Sequence, residues 1–232
     1  MNDYGECAID VNKDGWTDLV SGGWFANENK EHWFAWYRNP GNAGGSWKET
    51  VIDTDKRFIE TLLLADVDGD GKATNFLIDC GQAAWYEPID KGDDAKFVRH
   101  NIGQPGENHA LGFGDVDGDG RGDLVRPDGF FRAPENPSER AWEWCPEFDL
   151  GHSGIPCPVH DLNGDGLADI LYGQGHDYGL YWYEQGRSDG KRTWTRHTID
   201  YTYSHTHTIS LADLDEDGDL DIITGKRYHG HG

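Results

Sequence analysis

The sequence lacks long hydrophobic runs and has few basic residues. No apolar segment approaches the ~18 residues that a membrane-spanning helix requires, so we expect no membrane insertion. The 20 Lys and Arg residues are outnumbered by 43 Asp and Glu residues, and the formal net charge is −23. Because a surface of this charge repels nucleic acid and anionic membranes, we predict neither of them as a partner.

Cysteine is also scarce, with 4 residues in 232. Cys7, Cys80, Cys145 and Cys157 have no metal-ligand spacing such as Cys-x-x-Cys. We interpret them as buried free thiols, with a Cys145–Cys157 disulfide as the alternative. Glycine and aromatic residues are plentiful, at 32 Gly, 10 Trp and 10 Tyr, which indicates a turn-rich protein. The length is sufficient for a real hydrophobic core.

An acidic loop occurs five times in the chain. Its pattern is Asp-x-Asp-x-Asp-Gly-x-x-Asp, with Asn at position 3 in two copies. Carboxylates at alternate positions face a common centre only if the backbone curls around it, and so much negative charge is unfavourable without a cation. Ca²⁺ accepts several oxygen ligands in flexible geometry, so we predict up to five structural Ca²⁺ ions. The predicted metal ligands are Asp10, Asn12, Asp14, Asp18, Asp66, Asp68, Asp70, Asp115, Asp117, Asp119, Asp123, Asp161, Asn163, Asp165, Asp169, Asp213, Asp215, Asp217 and Asp221.

The loops recur with a period near 50 residues, at spacings of 56, 49, 46 and 52. A regular period of this length indicates a fold built from repeated structural units. Position 9 is not Asp in the second copy, where Thr74 stands, and we expect that loop to bind its ion most weakly. The five loops begin at Asp10, Asp66, Asp115, Asp161 and Asp213.

Short apolar segments precede and follow each loop, as residues 61–65 and 76–78 do around the second copy. In four copies an aromatic pair and then a further extended segment follow in register. We therefore predict an all-β fold, a β-propeller whose blades each have four antiparallel strands joined in part by the acidic loop. The predicted blades are approximately residues 4–53, 60–103, 109–151, 155–200 and 205–232, the last of them incomplete.

This loop pattern between two strands, repeated along the whole chain, resembles the FG-GAP/VCBS repeat family. That family includes integrin α-subunit propellers, fungal propeller lectins and the propeller of aldos-2-ulose (anhydrofructose) dehydratase. The Trp-Tyr-x-Asn-Pro and Trp-x-x-His-x-Ile segments resemble the bacterial sugar-related members more than integrins. The resemblance implies a single propeller domain over residues 1–232. Since family propellers often have seven blades, we interpret the four complete blades and one half as a fragment of a larger propeller, with an incomplete propeller as the alternative.

An EF-hand is the rival interpretation of the acidic loops. It requires a Glu at position 12 and flanking amphipathic helices, and none of the five copies has either. We therefore interpret the loops as structural supports of the blades. The recurring aromatic residues, and His100 and His197 at one strand position, are interpreted as packing residues.

Residues that differ between repeats are better candidates for function. In a propeller, the starts of the first strands and the links between second and third strands lie on the face opposite the calcium loops. Polar and aromatic residues at these positions would line the mouth of a central channel. The predicted ligand-binding residues are Trp24, Glu60, Arg126, His176, Lys226 and Arg227, and the predicted catalytic residues are His109, His207 and Tyr228.

Two functions are compatible with this face. The first is a binding module for a carbohydrate or protein, in which Trp24 stacks on a sugar ring. The second, implied by the resemblance to the dehydratase, is a sugar lyase or dehydratase with His109 or His207 as the base. Lys226, Arg227 or a channel metal would stabilise the enolate, and Tyr228 would protonate the leaving oxygen. A structural domain of a larger secreted protein, with no ligand, is a third hypothesis.

The start of the chain has no basic or apolar segment typical of a signal peptide. Calcium chemistry nevertheless favours a secreted or periplasmic location, because millimolar extracellular Ca²⁺ fills weak, exposed loops and cytosolic Ca²⁺ does not.

Overall fold

A computed structural model describes residues 2–24, 32–54, 59, 61–79, 82–89, 92, 95–103, 110–154 and 156–227. In this part of the chain one short 3₁₀ helix, Gly41–Ala43, accompanies 18 β-strands. No helix there is long and apolar enough to cross a membrane. The strands are β1 Asn2–Ile9, β2 Asp18–Trp24, β3 His32–Arg38, β4 Lys48–Asp53, β5 Leu62–Ala65, β6 Asn75–Asp79, β7 Ala83–Pro88, β8 Phe97–Asn101, β9 Gly112–Gly114, β10 Asp123–Arg126, β11 Gly129–Arg132, β12 Glu143–Cys145, β13 Val159–His160, β14 Asp169–Gly173, β15 Tyr178–Ser188, β16 Lys191–Ser204, β17 Thr206–Ala212 and β18 Asp221–Lys226.

The strands form five antiparallel sheets, each built from consecutive strands. Four sheets have four strands, β1–β4, β5–β8, β9–β12 and β13–β16, and the fifth consists of β17 and β18. We call these sheets repeats 1 to 5. The prediction of an all-β chain with four-stranded antiparallel repeats is confirmed. The acidic loop connects the first strand of each repeat to the second, as the sequence pattern predicts.

In repeats 2 to 4, the second strand is deeply buried. All residues of β10 and β14 are buried, and so are the first four of β6. These strands have neighbours on both edges and side chains covered on both faces, so their sequences are nearly continuous apolar runs. The fourth strands, in contrast, expose many side chains, because each forms the outer edge of its sheet.

The chain divides into two compact bodies, which are described separately. The N-terminal body comprises residues 1–107 and 137–141 and contains repeats 1 and 2. Its core is formed by large side chains from both sheets, and β1 packs against β5. Phe34 of repeat 1 lies against Tyr86 of repeat 2, with ring centroids 5.0 Å apart. The two repeats of this body thus cover each other's apolar faces.

The C-terminal body comprises residues 108–136 and 142–232 and contains repeats 3 to 5. β9 packs against β13, and β14 packs against β17. The core between repeats 3 and 4 includes Phe130, Phe148, Tyr172 and Tyr183. Gln185 of repeat 4 donates to the carbonyl of Val116 in the third acidic loop at 3.0 Å. Hydrogen bonds as well as apolar contacts therefore join adjacent repeats.

The recurring histidines are packing residues, as the sequence predicts. His100 stacks on Trp85 of the neighbouring strand at 4.1 Å between ring centroids, and His197 stacks on Trp182 at 4.6 Å. Each also contacts a carboxylate on the third strand, Glu87 and Glu184 respectively. The same stack and hydrogen bond in two repeats indicate a repeated structural motif.

The described cysteines are free thiols. Cys7, Cys145 and Cys157 form no disulfide, so the alternative Cys145–Cys157 bond is wrong, and Cys80 lies outside the described residues. Burial raises the pKa of Cys157 to about 12 and that of Cys7 to about 11. Thiols with such pKa values are unreactive at neutral pH.

Candidate metal sites and the opposite strand ends

All five acidic loops have the same hydrogen-bond pattern around position 1. The carboxylate at this position accepts the backbone N–H of the glycine at position 6, at 2.8–3.0 Å. The carboxylate at position 5 accepts the N–H at position 7, at 2.8–3.0 Å. These bonds curl the backbone so that the carboxylates at positions 1, 3 and 5 stay on the inside of the loop.

The turn also requires two residues with positive φ. The glycines at position 6 have φ between 83° and 97° in all five loops, a region that disfavours side chains. Position 4 has positive φ as well, with glycine in three loops, Lys13 in the first and Glu216 in the fifth. The invariance of glycine at position 6 within this chain therefore has a conformational cause.

Three of the loops bring carboxylates together closely enough to hold one ion. In each of them, one oxygen from each of three Asp residues lies within 4.8 Å of the others. All the candidate ligand atoms are carboxylate oxygens, which suit a hard divalent cation such as Ca²⁺. The first and fourth loops have Asn at position 3 and the same backbone pattern. The three clusters are Asp66, Asp68 and Asp70; Asp115, Asp117 and Asp123; and Asp213, Asp215 and Asp221.

The side chain at position 9 connects the loop to the sheet. One carboxylate oxygen of Asp18, Asp123 and Asp169 accepts the N–H of position 2 of its loop, at 3.0–3.2 Å. The other accepts a backbone N–H at the end of the third strand, at 2.8 Å in all three cases. All three side chains are fully buried. We call this residue the pin, because it joins the loop to the second and third strands.

In repeat 2 the pin is Asn75, one residue later than the sequence alignment of the loops places it. Asn75 accepts the N–H of Val67 at 2.7 Å and donates to Asp68 at 3.2 Å. The sequence pattern places Thr74 at the pin position of this loop, but the structure assigns that role to the next residue, Asn75. In repeats 1, 3 and 4, a residue of the third strand donates its N–H to the pin, and in repeat 2 this residue is Pro88, which has no N–H. A second acceptor oxygen on the pin of repeat 2 would therefore have no donor. An amide suits this site better than a carboxylate.

Some loop carboxylates have a cationic side chain beside them. Lys72 Nζ lies 2.9 Å from Asp70, Arg132 Nε lies 2.6 Å from Asp117, and Arg121 contacts Asp119. These cations offset part of the repulsion within the second and third loops. The fifth loop has two further acidic residues besides its predicted ligands, Glu216 and Asp219, and no ion pair of this kind is described for it.

At the opposite ends of the strands, the C-terminal body brings several of the predicted functional residues together. The rings of His176 and His207 have centroids 5.9 Å apart. The His205 N–H donates to the Asp177 carbonyl at 3.1 Å, and the Arg227 N–H donates to the His205 carbonyl at 3.0 Å. The turn after β14, the start of β17 and the end of β18 therefore form one cluster.

The geometry at His207 determines which ring nitrogen carries its proton. Nδ1 lies 2.9 Å from the carbonyl oxygen of His205. Since a carbonyl can only accept, Nδ1 is the donor and Nε2 keeps its lone pair. Partial burial and the nearby positive charge of Arg227 lower the pKa of His207. His207 is therefore neutral at pH 7, with Nε2 able to accept a proton or a hydroxyl hydrogen bond.

The other predicted residues are placed differently. Arg126 is 4% exposed, and its guanidinium lies over the rings of Phe131 and Trp144, so it packs inside repeat 3. Lys226 lies over the ring of Tyr203 at 5.7 Å, beside the cluster. The side chain of Trp24, and the residues Glu60, His109 and Tyr228, lie outside the described part of the structure.

Two exposed tyrosines near this cluster were not predicted from the sequence. Tyr178 is 60% exposed and pairs with Ser204, and Tyr201 is 75% exposed in the irregular segment of β16. Tyr201 lies among the extra residues of β16, between the pairs Leu180–Asp200 and Tyr178–Ser204. For Tyr201, the available signal was the Tyr-Thr-Tyr sequence of residues 201–203.

The sheets and loops define a class of protein, an all-β repeat chain in which an acidic loop follows the first strand of every repeat. A family model described as "FG-GAP-like repeat" matches residues 10–74 and 161–224, which is more than half of the chain. The chain therefore belongs to the FG-GAP-like repeat family. Both matches begin at the first Asp of a loop, and this confirms the resemblance inferred from the loops.

Among solved structures, the crystal structure of the V. cholerae biofilm matrix protein Bap1 is similar to this chain, with 15% sequence identity and a TM-score of 0.37. The match covers 96% of this chain and 37% of the Bap1 chain. Similarity at this level carries no argument about function. A comparison with curated proteins finds no match.

The pin of repeat 2 provides a stability test. Asn75→Ala removes the acceptor of a buried N–H, so we expect a loss of about 2–3 kcal/mol in the free energy of unfolding. Thr74→Ala, next to it, should change this free energy by less than about 0.5 kcal/mol. Urea unfolding of both variants is the measurement. Equal losses in the two variants would contradict the assignment of Asn75 as the pin.

Asp123 provides a pH test. Burial raises its pKa from the ordinary 3.8 to about 7, despite hydrogen bonds that favour the charged form. The folded state therefore holds a proton that the unfolded state releases, and stability should fall as the pH rises through this window. Asp123→Asn, which copies the natural Asn75, should remove this dependence. With a chelator present, we expect the free energy of unfolding of wild type to fall by on the order of 2 kcal/mol relative to that of the variant between pH 5 and 8. If the two free energies change in parallel with pH, the prediction is refuted.

Proposed function

We propose that this chain is a calcium-stabilised binding module, a β-propeller-type domain spanning residues 1–232 that recognises carbohydrate at the strand ends opposite the acidic loops. One observation carries the proposal: His176, His207 and Arg227 converge at one end of the C-terminal body beside exposed tyrosines. Calcium at the other end would stabilise the repeats that position this cluster. The acidic loops suit extracellular Ca²⁺ concentrations, so we place the module outside the cytosol.

The side chains in this cluster fit a sugar better than an apolar ligand. Tyr178 and Tyr201 offer exposed rings, which can stack on the flat apolar face of a pyranose. His207 Nε2 can accept a hydrogen bond from a sugar hydroxyl. Lys226 and Arg227 can donate to hydroxyl or carboxylate oxygens. Stacking surfaces combined with donors and acceptors are what saccharide recognition requires.

A propeller arrangement is supported by the order of strands within each body. The first strands β1 and β5 lie against each other, as β9 and β13 do. First strands that are adjacent from one repeat to the next are expected when they surround a central axis. Trp24 and Glu60 are the residues of repeats 1 and 2 that we propose for ligand binding.

A sugar lyase or dehydratase is the second candidate, and the geometry of His207 favours it. A neutral imidazole with its proton fixed on Nδ1 presents Nε2 as a general base. The nearby Arg227 could stabilise the enolate that forms when a proton is removed next to a carbonyl or carboxylate. His109 and Tyr228 are the remaining residues proposed for proton transfer, and a metal in the channel would be an additional electrophile.

Removal of calcium tests the stabilising role of the loops. In excess EDTA, up to five groups of carboxylates lose their cation and repel one another, so we expect the melting temperature to fall by about 10 °C or more. Added Ca²⁺ should restore it. Asp217→Ala should lower the melting temperature in Ca²⁺ and reduce the response to EDTA. A melting curve that EDTA leaves unchanged would show that the loops are not ion sites.

Ligand binding is tested on a glycan array together with an assay for unsaturated sugar products. Tyr178→Ala and Arg227→Ala should each weaken binding at least tenfold, about 1.4 kcal/mol. His160→Ala, an exposed histidine at the loop end of β13, is the matched control and should bind normally. Binding by wild type without turnover supports the module. Turnover that His207→Ala abolishes supports the lyase, and no binding to any glycan would refute both.

A further inference from the structure

The strand ends opposite the acidic loops of the C-terminal body differ in charge from the loops. The three acidic loops of this body hold 13 Asp and Glu residues and one basic residue. At the opposite strand ends, residues 174–177, 204–207 and 225–227 include five Lys, Arg and His residues and one Asp. We call these three segments the basic cluster. Its basic residues are His176, His205, His207, Lys226 and Arg227.

Two carboxylates near the basic cluster have hydrogen-bond partners in their own turns. Asp177, the one acid within the cluster, accepts the Tyr178 N–H at 2.8 Å. Asp200, on the neighbouring β16, accepts the N–H and the hydroxyl group of Thr202, both at 2.7 Å, and these bonds lower its pKa. Because basic groups outnumber acidic ones here, the cluster is a local basic region on a chain whose formal net charge is −23.

The backbone of His205 fixes the arrangement of the basic cluster. Its N–H donates to the Asp177 carbonyl, and its carbonyl accepts both the Arg227 N–H at 3.0 Å and His207 Nδ1 at 2.9 Å. His205 has a φ of 56°, a conformation that residues other than glycine rarely adopt. Such a residue persists only where the surrounding contacts hold it, and residues of this kind are common at functional sites. One carbonyl thus holds His207 and Arg227 side by side.

His207 and Arg227 offer two different hydrogen-bonding groups. His207 Nε2 is an acceptor at neutral pH, because the ring proton lies on Nδ1. The Arg227 guanidinium is a permanent cation, and its N–H groups match the paired oxygens of a carboxylate or a sulfate. An acidic sugar carries both complementary groups, since its anionic oxygens lie close to hydroxyl groups of the same ring. A neutral sugar offers the hydroxyl groups alone.

We propose that the basic cluster selects an acidic sugar, a uronate or a sulfated sugar within an oligosaccharide or polysaccharide. The anionic group contacts Arg227, a neighbouring hydroxyl group donates to His207 Nε2, and Tyr178 stacks on a ring of the same ligand. Electrostatic complementarity then discriminates against neutral sugars. This inference rests on the proposed binding function and names the class of its ligand. It makes the positive charge of Arg227, rather than the tyrosine rings, the source of selectivity.

Matched pairs of short oligosaccharides test the class of ligand. Oligogalacturonate and oligomannuronate are each compared with their methyl esters, and sulfated galactan oligosaccharides with their desulfated forms. Isothermal titration calorimetry on the full chain in Ca²⁺ is the measurement. In at least one pair, we expect the charged member to bind at least tenfold more tightly than the neutral one, about 1.4 kcal/mol. Added NaCl should reduce this preference, because salt screens exposed charges. The pair that shows the preference distinguishes a carboxylate from a sulfate ligand.

Three variants test the role of the positive charge. Arg227→Gln should abolish the preference for the charged member of the pair, and Arg227→Lys, which keeps the charge, should retain most of it. Arg187→Gln is the matched control, because it removes the same charge from an exposed arginine beside the third acidic loop. It should leave the preference unchanged. Circular dichroism confirms that the three variants are folded.

Three results would overturn the inference. Neutral members that bind as tightly as charged ones in every pair would leave the binding module in place but refute an acidic ligand. A preference that survives in Arg227→Gln would place the acidic sugar elsewhere on the chain, for example on ions in the acidic loops. Binding of no member of any pair would also refute it, and the glycan array then shows whether the binding function itself fails. A preference that Arg227→Gln removes and Arg187→Gln retains supports the inference.

Discussion

The structure of each four-stranded repeat depends on one buried polar side chain at the end of its acidic loop. Asp123 shows the arrangement: its two oxygens accept backbone N–H groups from the loop and from the third strand. Each such bond contributes on the order of 1 kcal/mol, but leaving either N–H unpaired in the core would cost more. Burial of the carboxylate is itself unfavourable, as the raised pKa values of Asp123 and Asp169 indicate. A cation in the loop would offset that cost, which links ion binding to folding.

Repetition separates the supporting residues from the candidates for function. The loop glycines, the pins and the aromatic residues of the third strands recur from repeat to repeat, and each has a structural reason to recur. His176, His207 and Arg227 have no such repeated role, and they meet at the strand ends away from the loops. Differences between equivalent positions, rather than the most charged segments, are therefore the basis on which we propose a binding site.

The acidic loops, the strands that flank them and the four-stranded repeats could be predicted from the sequence, because each depends on residues that are close together in the chain. The preference for an amide at the pin of repeat 2 could not, since it depends on Pro88 in a different strand. The burial of Arg126 beneath aromatic rings, and the place of Tyr201 among the extra residues of β16, also arise from tertiary contacts. Residue type and spacing identify candidates for a site, but strand pairing decides which of them meet.

The most direct test of this account is the number of calcium ions that the loops hold. Mass spectrometry of the native chain in Ca²⁺, or elemental analysis after gel filtration, measures that number. We expect up to five ions per chain, and one fewer in Asp213→Ala, because the carboxylate at position 1 organises its own loop alone. A chain that binds no calcium, or an Asp213→Ala variant that retains every ion, would contradict the central role of the acidic loops.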